Sequence, residues 1–330
     1  MYQLCWRKKG WRKKAQHASI STVFFALFAV SGSAFSEGQA TLTDRHQGIA
    51  HDALFDVCFD GEKGLAVGVA GTVLESVDGG KTWIPKPMAV PAGLLGITCE
   101  GQKPIVVGQS GVIFVQQGES WKPVKSGTDL RLLSVSANQQ GLAVAVGGFG
   151  ALLKSTDSGE TWSPITVDWE ALLNDFIEPH VYDVDVSGSG VITLVAEFEL
   201  VLRSVDGGET WETLNKGDAS LNALHLRDEA TGFAVGQDGK VLRTQDGGVS
   251  WESLEVDTDE NLLDVWSGDD GTVVVSGIRT LLKSKDDGET WLSIEEGDVP
   301  IKWYQALGAS EGPERNVVMV GHSGRVVQIH

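Results

Sequence analysis

The chain has 330 residues, of which 42% are apolar, with 41 Gly, 11 Trp, 9 Pro and 3 Cys. That composition excludes wholesale disorder, a collagen repeat and a disulfide framework. Lys and Arg number 26 against 45 Asp and Glu, a net of −19, which argues against nucleic acid because nothing would neutralise the phosphates.

Residues 1–17 hold six bases and no acid, and the apolar run VFFALFAV follows at 23–30. Small residues come next, at Ser31, Gly32, Ser33 and Ala34. Residues 1–36 therefore read as a secretory signal peptide, cut after Ala34 or Ser36. The apolar run is well short of the about 20 residues that a membrane span needs. The expected location is the periplasm or an equivalent space outside the cytoplasm, with the protein peripheral to a membrane at most. Without the leader, 20 bases face 45 acids, a net of −25. Cys58 and Cys99 remain, at neighbouring but not equivalent offsets of successive repeats. A bridge between them stays open; two buried thiols are expected.

From residue 37 to 330 one unit recurs. SVDGGKTW at 76–83 returns as STDSGETW at 155–162, SVDGGETW at 204–211, TQDGGVSW at 244–251 and SKDDGETW at 284–291. A degenerate copy, QQGESW, ends at Trp121. Upstream of each lies Gly-x-x-Gly-x-[VIL]-[LFV], as at Gly68 and Gly71, although two copies, 196–202 and 276–282, read as having lost both glycines. Each unit opens on a short apolar piece, and the openings fall near 54, 94, 132, 181, 221, 262 and 303. Short apolar runs between Gly and Asp turns are strand signals, and units of about 40 residues with four strands are propeller blades. The predicted fold is all-β, a seven-bladed β-propeller of four-stranded blades over residues 37–330. The last unit reaches His330 after its third strand, so residues 39–43 are expected to supply its missing outer strand.

The box residues read as architecture. Asp78, Asp157, Asp206, Asp246 and Asp286 can accept backbone N–H groups of the turn that follows, and Trp83, Trp162, Trp211, Trp251 and Trp291 bury large rings. One copy per blade spreads these groups around a ring rather than into one pocket. With the preceding glycine motif and seven units, these Asp-box repeats resemble the photosystem II stability and assembly factor family. The resemblance covers roughly residues 50–330. It implies a lumenal or periplasmic propeller that assists assembly of membrane protein complexes, with bacterial relatives associated with exporters, and photosynthetic members that reach their partner through arginine patches.

Enzyme readings fare less well. The Arg-Ile-Pro segment and arginine cluster of sialidases are absent, and Tyr182 and Tyr304 are the only Tyr after the leader. Asp56, Asp183 and Asp264 share one offset of the first strand, so a hydrolase site in the channel is the alternative; solvated strand-start carboxylates are the expected reading. Glu178, His180 and Tyr182 read as ordinary loop polarity. No metal motif survives inspection, and no cofactor is expected.

Binding is expected where the repeat is broken on the face that carries the turns between second and third strands. Residues 167–180 (VDWEALLNDFIEPH) are an insertion, with Trp169, Leu172, Leu173 and Phe176 at amphipathic helical spacing. Phe149, Phe198, Ile278 and Arg279 stand in the turns of that face. These residues are expected either to cap the blades or to dock a protein partner, an exporter or a photosynthetic complex of the envelope.

Overall fold

In the computed structural model, which describes residues 41–311 and 315–330, the seven opening pieces become seven innermost strands. The predicted signal segment lies outside the described residues. Each inner strand begins on a side chain with almost no exposure: Leu54, Leu94, Leu132, Val181, Leu221, Leu262 and Tyr304. Each heads a four-stranded antiparallel sheet, and there are seven such sheets. In the first blade the strands are Leu54–Asp60, Lys63–Gly68, Val73–Ser76 and Ile84–Pro85. Second strands such as Ile105–Gly108 and Ala143–Gly147 are buried along their whole length, which explains their continuous apolar sequence.

The core lies between blades. Leu65, Val67 and Val73 of the first blade pack on Leu94, Ile97, Val106 and Phe114 of the second, and comparable clusters recur around the ring. The ring closes as expected, slightly further along the chain: Leu42–His46 pairs antiparallel with Val326–Ile329 and completes the seventh sheet. Asp44 also meets the guanidinium of Arg325, which reaches Asp298 as well.

The Asp boxes fold as small closed networks. Asp78 takes the Thr82 backbone N–H at 2.9 Å and the Thr82 hydroxyl at 2.6 Å, and accepts from Ser76 Oγ at 2.9 Å. Trp83 Nε1 donates to the Gly80 carbonyl at 3.0 Å. The carboxylate contacts repeat at Asp157, Asp206, Asp246 and Asp286. Hydroxyl bonds from Thr210, Ser250 and Thr290 hold Asp206, Asp246 and Asp286 down at about 2. The degenerate second blade lacks this network. There Gly118 and Glu119 turn a hairpin, and Trp121 lies within the strand Ser120–Val124.

Two readings of the repeat itself need correction. Cys58 and Cys99 form a disulfide, with Cα atoms 5.6 Å apart. Neighbouring inner strands are staggered by one residue: Asp56 bonds Ile97, not its repeat equivalent Gly96. The same stagger brings the unaligned cysteines together. The sixth blade, moreover, keeps its first turn glycine. Gly277 pairs with Leu262 as Gly68 pairs with Leu54, and the turn after it is one residue shorter. A Cβ on Gly68 would lie 2.0 Å from the Ala53 carbonyl, and one on Gly277 would lie 2.5 Å from that of Asn261. Close backbone approach at the start of the inner strand therefore requires glycine at both.

Candidate functional site

Every inner strand carries a bulge after its first residue. Leu54 faces Gly68 and Asp56 faces Val67, so Phe55 is the extra residue; the same shift occurs in all seven blades. Bulges re-aim side chains. Here they present Phe55, Leu95, Leu133, Tyr182, Asn222, Leu263 and Gln305 to one cavity of about 770 Å³, at one mouth of the central channel. Leu130, Phe149 and His180 complete its apolar and aromatic wall, with Asp129 and Arg131 beside them. The volume falls within the roughly 300–1,000 Å³ of typical ligand clefts.

This mouth opens on the face of the sequence-predicted binding residues. The turns between second and third strands bond the links between blades, as Gly71 N–H does to Ala92 O and Gly150 N–H to Pro179 O. Phe149 belongs to the mouth. It is 61% exposed, stands edge-on to His180 with centroids 4.8 Å apart, and holds a left-handed φ of 55°. The same left-handed turn recurs at Ala70, Ser110, Phe198, Asp238 and Ser323, so that conformation belongs to the repeat, and what sets Phe149 apart is its exposed ring at the mouth.

The other candidates divide. Trp169 and Leu173 are buried, and Leu172 and Phe198 pack on the same cluster with Val181 and Leu200. Gly150 makes room for the ring: a Cβ there would lie 2.5 Å from Trp169 Nε1. The insertion is thus a cap over the third and fourth blades. Its helix, Trp169–Leu173, is shorter than its spacing predicts, because Asn174 turns left-handed and ends it. Phe176 lies beyond that stop and is 87% exposed. Ile278 bridges to Trp303, whose ring stacks on Phe55, and Arg279 pairs with Glu260. His180 and Tyr182 are wall residues of the mouth, which corrects their reading as ordinary loop polarity.

The opposite end of the channel is polar, lined by Glu100, Asp185, His225, Arg227, Asp269 and Arg315 among others. Asp56, Asp183 and Asp264 also face it, and they are buried rather than solvated strand-start groups. Each takes two backbone N–H groups, one from its own strand and one from the next blade: Ile97 at 2.7 Å, Leu224 at 2.9 Å and Leu307 at 2.6 Å. They staple adjacent inner strands. Burial raises Asp56 to about 7 and Asp183 to about 6, and pushes Asp264 well up. Burial, then Glu100 and Asp183, raise Asp185 to about 8. Among the described residues no group of His, Cys, Asp or Glu is placed to hold a metal ion, and no helix is long and apolar enough to cross a membrane.

A pH dependence follows. The raised carboxyls stay protonated in the folded protein where the unfolded chain ionises them, so stability falls as pH rises from about 4 to 8. His225, lowered to about 4 by burial and then Arg227, acts oppositely between about 4 and 6.5, as do His46 and His322, which burial also lowers, but these three stand against five raised carboxyls, Glu100 included. The box aspartates lose their contribution only as pH falls toward about 2. The melting temperature is expected to be higher at pH 5 than at pH 8, and Asp185→Asn should flatten that slope. A melting temperature that climbs steadily between those pH values would contradict this assignment.

Comparison with known proteins agrees with the architecture. Residues 46–132, 164–259 and 214–300 match the family described as photosynthesis system II assembly factor YCF48. A solved YCF48 bound to D1 peptide is similar at 20% identity, over 88% of this chain and 96% of that one, with a TM-score of 0.68. YCF48 from Cyanidioschyzon merolae gives 20% identity, 88% and 98% coverage and a TM-score of 0.67. The WD40 repeats of RRP9 give 12% identity, 88% and 97% coverage and a TM-score of 0.66. At these identities the solved structures speak to the fold. No curated protein matches the sequence.

Proposed function

This chain belongs to the photosystem II assembly factor YCF48 family, and we propose that it is a non-enzymatic propeller that binds a polypeptide at the apolar channel mouth. One observation carries the reading: seven bulges direct seven side chains into that mouth, and beside them stands an exposed Phe149. A rigid ring whose links vary suits recognition of a protein surface. The solved relative bound to a D1 peptide gives the reading a precedent within the family. The hydrolase alternative is weaker, because Asp56, Asp183 and Asp264 already hold two backbone N–H groups each.

The partner is an envelope membrane complex that the protein helps to assemble or stabilise, either an exporter or a photosynthetic assembly. Two features support action outside the cytoplasm: the leader at 1–36, and the Cys58–Cys99 bridge, since disulfides persist in oxidising compartments. Co-purification from membranes under mild crosslinking is the test. A specific membrane-complex subunit should be enriched with the wild-type protein and depleted with Phe149→Ala. Equal enrichment with both would place binding elsewhere, and no enrichment would remove the assembly role.

A further inference from the structure

We infer that the channel mouth receives apolar side chains of a segment flanked by Lys or Arg, so that this chain selects a basic polypeptide partner. The inference rests on the protein-binding role proposed above and specifies the chemistry of the ligand.

The mouth itself supplies the anchor site. Phe55, Leu95, Leu130, Leu133, Phe149 and Leu263 give its wall a broad apolar surface, beside neutral Asn222 and Gln305. Buried side chains of a partner would displace water from such a wall and make no demand for charge. The wall's own two charges, exposed Asp129 and Arg131, offset each other, while on the links around it exposed acids outnumber exposed bases. Residues 167–180, which end in the mouth at His180, carry four carboxylates (Asp168, Glu170, Asp175 and Glu178) and no Lys or Arg. All four carboxylate residues are exposed. Further round, the links between blades add exposed Asp257 and Asp259, and exposed Glu295 and Glu296. Exposed bases on the same links are fewer, and Arg279 is already paired with Glu260. Complementary charge steers association and rejects partners of like charge. An acidic rim around an apolar socket therefore fits a segment whose apolar anchor lies between bases.

Three octapeptides test this by calorimetric titration of the purified protein. One has a central Leu-Phe pair between paired lysines, one has glutamates in place of the lysines, and one keeps the lysines but has Ser-Ser at the centre. The lysine-flanked Leu-Phe peptide should bind, and each of the others should bind about tenfold more weakly or worse. Added salt should weaken the first peptide's binding. Leu133→Arg, which places a positive charge in the mouth, should abolish it. Phe149→Ala, at an exposed position that leaves the core intact, should weaken it by about tenfold, whereas Val77→Lys on the box face should leave it unchanged.

No binding of the lysine-flanked Leu-Phe peptide would overturn the inference. So would equal binding of either control peptide, or binding unaffected by both mouth variants. A homodimer dissociated by Leu133→Arg would make a second copy the occupant and would also overturn it. Membrane capture separates this failure from failure of the broader role: if the peptides fail while wild type still captures a subunit that Phe149→Ala loses, protein binding stands and only the chemistry is wrong.

Discussion

Removal of residues 37–48 is expected to lower the melting temperature by roughly 10 °C or more, the largest single effect among the changes considered. The deletion takes away Leu42–His46, and with it the pairings Leu42–Ile329, Thr43–Gln328, Asp44–Val327 and His46–Val326. Arg325 loses one of its two carboxylate partners, and it is a largely buried side chain. Four lost pairings, at about 1 kcal/mol per backbone hydrogen bond, together with a weakened buried ion pair, amount to on the order of 5 kcal/mol. That is a large fraction of the roughly 5–15 kcal/mol by which domains are stable. Val326–Ile329 would also become an open edge, so aggregation should accompany the loss. Calorimetry on the truncated and intact proteins measures it; an unchanged melting temperature would mean that the ring does not depend on this strand.

Replacing Cys58 and Cys99 with Ser is expected to cost about 4 kcal/mol, the chain-entropy value for a closed loop of this length. The bridge spans 41 residues and ties the inner strands of the first and second blades. It stands beside the Asp56–Ile97 contact, so the two devices hold the same seam. Reductant should lower the melting temperature of wild type toward that of the double Ser variant and leave the variant unchanged. Equal melting of wild type with and without reductant would remove the bridge from the account.

The fold was legible because each blade states its own geometry. The Ser, Asp, Gly, Thr and Trp of a box bond to one another within eight residues, so a local pattern carries a local structure. Even the closure could be read, since a seventh unit one strand short left a stretch near residue 42 with no other place. What remained hidden belongs to relations between strands. LFDV and LLSV read as short apolar openings, and nothing within them marks Phe55 or Leu133 as the extra residue of a bulge. That register exists only against the partner strand. The one-residue stagger between blades was equally invisible, and it decides both the Cys58–Cys99 bridge and the targets of Asp56, Asp183 and Asp264. In the insertion the spacing of Trp169, Leu172 and Leu173 named the buried side correctly. Asn174 then ended the helix before Phe176 could join it.

These relations place the candidate site at one end of the channel. The family resemblance alone would have pointed to arginine patches, yet the links around this mouth are mainly acidic. The ring of bulge residues comes from all seven blades, five of them apolar or aromatic, while most of the charge comes from the links, above all from the insertion. A family scaffold of this kind keeps its socket and varies its rim, which makes partner choice a property of the links.

The most direct test places a photo-crosslinking amino acid at position 149 in the mouth, or at position 205 on the box face, and identifies adducts in intact cells. Val205 is 66% exposed, comparable with Phe149 at 61%, so exposure does not favour either. A discrete adduct with a membrane-complex subunit is expected from position 149 and none from position 205. An adduct from position 205 alone, or none from either, would contradict binding at the mouth.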